Sequence, residues 1–257
     1  MVTIPTLEEM LKAGVHFGHK TSRWHPAMEP YIFTERSGVH VINLETTRKK
    51  LEEALDAARA MAAEGKIILF VGTKKQAQSI VRQYAEQCGM PYIVERWIGG
   101  LVTNFSELSK VIKKYLLLKE KKEKGELEKY TKKEQLEFER EIERLGHMVS
   151  GVATLERLPD ALFITDMRLE KTARTEAERK GMIVFGVCDT NANPKHATYV
   201  IPANDDAVNA ITMVVSLMAE AIAEGRAEWK EKQAAQAALV VKKEEKKERV
   251  VTKETSE

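Results

Sequence analysis

The chain has 257 residues, 43% apolar and 31% charged, with 14 Gly, 7 Pro and a formal net charge of +2. That length holds one large domain or a domain with an appendage, and the composition excludes a fibrous or wholly disordered chain. Two cysteines, Cys88 and Cys188, exclude a disulfide framework and a cysteine-built zinc site, and runs such as Ile67 to Val71 fall far short of a ~18-residue membrane span.

The start MVTIPTLEEM lacks the basic and apolar regions of a secretion signal, so a soluble, cytoplasmic protein is expected. Between Lys12 and Lys50, seven Lys or Arg face three Glu. The loop AGVHFGHKTSRWHPAMEPYIF (13–33) interleaves Lys20, Arg23 and three His with Phe17, Trp24 and Tyr31. Cations beside flat rings suit a phosphate backbone with unpaired bases, although the same rings also serve to pin a segment to a core. Next, PYIFTERSGVHVINL (30–44) reads as a β-hairpin turning at Ser37-Gly38, and Asn43 to Glu64 as a helix with Leu51, Leu55, Ala58 and Met61 on one face.

KIILFVG (66–72) is a strand of the kind buried on both faces in a parallel sheet. VGTKKQA then sets Lys74 and Lys75 in a loop, and Gln76 to Gln87 is helical. After the strand PYIVE (91–95), ERWIGGLVTN brings Arg96, Trp97 and a tight turn at Gly99-Gly100. Lys74 to Lys114 repeats the basic surplus of seven against three, leaving two basic zones on a slightly acidic remainder.

Residues 104–150 break the alternation of strand and helix. Asn104 with Glu107, and Thr131 with Glu134, read as capping boxes. Leu108, Val111, Ile112, Tyr115 and Leu118, then Phe138, Ile142, Leu145 and Val149, recur at spacings of three and four. Two such helices on either side of Gly125 predict an antiparallel coiled-coil hairpin with arms of ~30 Å. From Glu107 to Leu145, ten acidic and twelve basic residues leave every face but the seam solvated, as in a salt-bridged surface helix pair; its insertion between two strands favours an interaction role.

The strands ALFITD (161–166), MIVFGVCD (182–189) and TYVIP (198–202) then alternate with helices at Glu170 to Lys180 and Asp206 to Glu224. The predicted architecture is an α/β, doubly wound, parallel five-stranded sheet with the inserted hairpin. The body spans 1–103 and 151–226, the insertion 104–150, and a charged tail, frayed or flexible, 227–257.

Such a sheet invites a nucleotide enzyme, but the loops lack the means. The turn VGTKKQAQS has neither G-x-x-x-x-G-K-[ST] nor G-x-G-x-x-G, and no G-x-S-x-G elbow occurs. Asp166, Asp189, Asp205 and Asp206 do gather at strand ends, where carboxylates bind divalent ions or cap helices, and capping suits Asp205 and Asp206 ahead of the last helix. No metal set is firm and no cofactor is assigned; His16, in His16-x-x-His19, with Asp189 and Asp205 are the candidates for a structural ion.

In order along the chain, GVHFGHKTSRWHPAMEPYIF, VGTKKQA, ERWIGGLVTN, LPDALFITD, VCDTNANP and VIPANDDA resemble the bacterial small-subunit ribosomal protein S-two family from about Leu7 to Arg226. The resemblance implies a flavodoxin-like domain carrying a coiled-coil arm, and a protein that is not an enzyme. It also implies a structural constituent of the 30S subunit, contacting 16S rRNA between head and body and supporting the docking of ribosomal protein S-one. Lys195 after Asn-Pro departs from the Asp of many relatives. Chemistry and motif together nominate Lys20, Arg23, Trp24, Lys74, Lys75, Arg96 and Trp97 on the body, with Lys110, Lys113, Lys114, Lys132 and Lys133 on the arm, for RNA. The competing readings are a metal-dependent enzyme using the strand-end aspartates and a scaffold whose hairpin binds another coiled coil.

Overall fold

A computed structural model describes the backbone of residues 2–254 and the side chains of residues 2–234. The short helix α1 (Leu7–Lys12) starts at a capping box between Thr6 and Glu9. Strands β1 (Phe17–Lys20), β2 (Ile32–Arg36) and β3 (Val39–Ile42) form a small antiparallel sheet in the order β1-β3-β2. The expected hairpin is β2–β3, and its turn residues Ser37 and Gly38 have φ of 53° and 74°. Two positive φ values in succession are what a two-residue turn needs to match the strand twist. β1 lies inside the stretch read as loop. FGHK has no apolar alternation, and the strand exists because its backbone pairs with β3.

Helix α2 (Leu44–Ala63) is capped by Asn43 Oδ1, which receives the N–H groups of Glu45 and Thr46. The main sheet comprises β4 (Ile68–Val71), β5 (Tyr92–Ile93), β6 (Ala161–Ile164), β7 (Ile183–Cys188) and β8 (Tyr199–Pro202), all parallel, in the order β5-β4-β6-β7-β8. The main sheet begins at β4, steps outward to β5 and returns across β4 to β6, which is the flavodoxin-like order with its reversal between β4 and β6. Helices α3 (Lys75–Cys88) and α6 (Lys171–Arg179) follow β4 and β6.

The pleat divides the core in two. Ile68, Phe70, Phe163, Phe185 and Ile201 face α2, α3 and the last helix, while Leu69, Val71, Leu162, Ile164 and Val184 face α6 and the root of the insertion. Phe70 and Phe163 meet edge to face at 5.1 Å. Burying each such ring contributes about 1.5–3 kcal/mol, which explains the strong β-branched and aromatic signal of these strands.

The insertion consists of α4 (Phe105–Glu123) and α5 (Lys132–Val149), each ~28 Å long. They run antiparallel, tied by Lys114 to Glu141 and Lys122 to Glu139, both at 2.9 Å. Leu108, Ile112, Leu145 and Val149 are buried on the seam. The box at Thr131 and Glu134 forms, but Asn104 makes no side-chain cap to α4. Leu108, Ile112 and Val149 also belong to the body's second core layer, so the base of the arm is embedded rather than appended.

Helix α7 (Val208–Glu254) continues through most of the segment read as a frayed or flexible tail; residues 255–257 lie outside the described residues. Its stretch Val208–Ala234 is long and apolar enough to cross a membrane, yet Ala210, Ile211, Val215, Met218 and Ile222 are buried in the first core layer. Past Arg226 the helix still touches the body. Arg59 pairs with Glu228, and Gly65, at φ 75°, leaves space for Trp229, whose Nε1 would lie 2.5 Å from a Cβ placed there.

Candidate nucleic-acid interface

The loops at the carboxyl ends of the strands hold a dense charge cluster. Lys74, at the N-cap of α3, is turned inward. Its Nζ lies 2.7 Å from Asp205, 2.6 Å from Asp206 and 3.5 Å from Asp166. Alongside, Glu170 accepts from the backbone N–H of Thr73 at 2.9 Å and from its hydroxyl. These contacts fill the crevice between β4 and β6, where this topology elsewhere receives a ligand.

His19 closes the cluster from above: Nδ1 is 3.1 Å from Asp189 and Nε2 is 3.3 Å from Asp206. Thr190 adds to the clamp, accepting from the His19 N–H at 2.9 Å, and its carbonyl accepts from the His25 N–H at 2.8 Å. The N-terminal segment is thereby fastened over β7 and β8.

The hydrogen bond that His19 donates to Asp189 raises the His19 pKa against the cost of burial. Asp205, only 2% exposed, is pushed up to about 7 by burial and by the charges of Asp166 and Asp189, with Lys74 pulling the other way. Burial works against the Lys74 charge, but hydrogen bonds to Asp205 and Asp206 outweigh it and raise its pKa.

Asp205 and Asp206 are engaged by Lys74, and Asn204 Oδ1 receives the N–H groups of Asp206 and Ala207 just ahead of α7. His16 is corrected as a metal candidate: its ring lies against Phe17 at 4.0 Å, and its Nδ1 is buried without a hydrogen-bond partner. The ligand-type atoms that converge are those of His19, Asp205 and Asp206, within 4.8 Å of one another, and the Lys74 ammonium already rests on both carboxylates. Asp189 is engaged by His19 and by Thr190.

Among the nominated RNA contacts, two are corrected. Lys74 is committed to the cluster just described, because the turn into α3 directs it under the loop while the next residue, Lys75, points out. Trp97 is 8% exposed and donates its Nε1–H to Glu176 at 3.0 Å, so no face is free for a base. Lys20 at the end of β1, Arg23 in the turn after it, Lys75 at the start of α3 and Arg96 in the loop after β5 are exposed, and none has a carboxylate partner among the described residues. Trp24 is also exposed, its ring tilted 5.3 Å from His40.

On the arm, Lys113, Lys132 and Lys133 are exposed, whereas Lys110 and Lys114 pair with Glu107 and Glu141 at 2.7 and 2.9 Å. Such exposed pairs are worth less than about 1 kcal/mol and yield readily to a phosphate. Phe33, 72% exposed on β2, and Arg36 beside the hairpin turn are further exposed groups that the sequence did not single out. The clue was the turn itself, which presents the preceding residues to solvent. Of the aromatics in 13–33, Phe17 is exposed and Tyr31 is half-buried against the second core layer, so of the two only Tyr31 is placed to pin the segment.

Residues 10–225 match the family model described as Ribosomal protein S2. The chain is 47% identical over 225 residues to a small ribosomal subunit protein uS2 from Coprothermobacter proteolyticus, covering 88% of this chain and 84% of the relative. It is 47% identical to the protein of that name from Salinibacter ruber, covering 86% and 69%, and 44% identical to that from Fusobacterium nucleatum, covering 87% and 91%. The relatives are ribosomal components, not enzymes, which agrees with a strand-end crevice occupied by the chain's own lysine. With a family match across nearly the whole described body and close relatives of similar length, the chain belongs to the ribosomal protein S2 family.

Proposed function

We propose that this protein is a structural constituent of the small ribosomal subunit that grips 16S rRNA between head and body through the carboxyl-end loops and the arm, and supports docking of ribosomal protein S-one. The observation that supports the RNA contact is the set of exposed cations Lys20, Arg23, Lys75 and Arg96, without carboxylate partners among the described residues, with Trp24 next to Arg23 in sequence. Unpaired guanidinium and ammonium groups release counterions when they meet phosphate, so a modest net charge of +2 is no obstacle when the charge is gathered. Lys113, Lys132 and Lys133 extend the contact along the arm. The S-one contact rests on the family resemblance alone.

The test is a salt titration of binding to a 16S rRNA fragment. Replacing Lys20, Arg23, Lys75 and Arg96 together by Ala should weaken binding and make the log–log salt slope shallower by about 3. An unchanged affinity and slope would remove these loops from the interface.

A further inference from the structure

Glu176 on α6 lies 79 residues beyond Trp97 in sequence, yet its carboxylate is filled by the segment that leads into the arm. Oε1 receives the Trp97 Nε1–H at 3.0 Å and the Gly100 N–H at 2.8 Å. Oε2 receives the N–H groups of Val102 and Thr103 at 3.1 and 3.2 Å and the Thr103 hydroxyl at 3.1 Å. Glu176 is 6% exposed and has no cationic partner among the described residues, so these donors are its compensation for burial. Gly100, at φ 85°, makes the turn that aims successive N–H groups at one point.

The position of this carboxylate matters. Residues 97–103 run straight into α4, whose N-cap Asn104 supplies no side-chain hydrogen bond. A negative charge beside the first turn is also favoured by the helix dipole. At the other root, the backbone at Gly151 packs so closely on Tyr92 that an added Cβ would lie 2.3 Å from the Tyr92 carbonyl. The exit of the arm is thus set by contact, and its entry by Glu176.

We propose that Glu176 is a positioning residue that fixes the direction in which the helical arm leaves the body, so that the arm is presented to RNA already oriented. Its effect on assembly rests on the reading of the arm as a binding element. Glutamine tests it, because an amide places an N–H₂ group against N–H donors that need an acceptor and leaves only one oxygen for them.

Spin labels at Lys129→Cys on the arm tip and Gln83→Cys on exposed α3 report the angle in the full chain; Cys88 and Cys188 are buried. The parent should give one narrow distance distribution. Glu176→Gln should broaden or shift it while far-UV circular dichroism is retained, and should lower incorporation into subunits roughly tenfold, the scale of one lost charged hydrogen bond. A control, Ile201→Val in the other core layer, should lower stability without broadening the distribution.

A narrow, unshifted distribution in Glu176→Gln overturns the proposal. If that variant does not fold, Thr103→Val and Trp97→Phe each remove one donor and must each broaden the distribution, and unchanged distributions in both overturn it. A broadened distribution with normal incorporation upholds the positioning role and instead overturns the reading of the arm as a binding element.

Discussion

Asp189, just past the end of β7, holds His19 Nδ1 at 3.1 Å, and this contact helps to join the N-terminal sheet to the main sheet across 170 positions of chain. The pairing raises the His19 pKa, so the imidazolium is favoured in the folded state. A group whose folded pKa lies above its unfolded value contributes fully below the unfolded value, here 6.5, and loses that contribution as pH rises through the folded value. Asp205, pushed up to about 7, acts in the same direction. The free energy of unfolding should therefore decline as pH rises from about 4 to 7 through Asp205 and above 6.5 through His19, and His19→Gln should flatten the part above pH 6.5 while costing about 1–2 kcal/mol near pH 6. Urea unfolding across this range decides it; an unchanged slope in the variant would detach the pH dependence from His19.

Glu176 has the opposite sign. Burial works to raise its pKa, but the hydrogen bonds from Trp97, Gly100, Thr103 and Val102 prevail and lower it. Its contribution is present above the ordinary glutamate value of 4.5 and is lost as pH falls through the depressed folded value. Acid should thus loosen the arm root in the parent, seen as a change in Trp97 fluorescence below about pH 4 that Glu176→Gln lacks.

Adjacent lysines should behave in contrary ways. Lys74→Ala strands Asp205 and Asp166 without their ammonium and should cost about 3–5 kcal/mol of stability. Lys75→Ala touches no described partner and should change stability by less than about 0.5 kcal/mol while weakening RNA binding. Chemical denaturation and a filter-binding assay on the two variants separate these roles.

Truncations of the arm should depend on where the cut is made. Replacing residues 117–139 by a short Gly linker spares Leu108, Ile112, Leu145 and Val149 and should leave the melting temperature near that of the parent. Removing residues 105–149 opens the second core layer and should cost several kcal/mol, as large-to-small changes in a core do. RNA affinity should fall in both; normal binding by the shorter truncation would exclude the outer arm from the contact.

The strands of the main sheet were legible because each is a continuous apolar run, and runs of that kind arise from burial on both faces. The arm was legible because its seam repeats at helical spacing from Leu108 to Val149. β1 was not, since FGHK is held by backbone pairing and by the His19 clamp rather than by apolar alternation. The cation surface was legible only in part. Lys74 and Lys75 are chemically identical in sequence, and only the entry geometry of α3 sends one inward. Trp97 could not be told from a stacking platform because its partner, Glu176, is remote in sequence and carries no local signature. His16 and His19 differ likewise: the second reaches the strand-end aspartates, while the first lies against Phe17.

The filled crevice between β4 and β6 also sets the scale of what this end of the sheet can meet. Lys74 and the Thr73–Glu170 pair occupy the hollow with groups already matched to one another, so a ligand entering there would have to displace the Lys74–Asp205 contact. What this edge offers outward is cationic: Lys75 and Arg96, which follow β4 and β5, are both exposed beside the matched cluster.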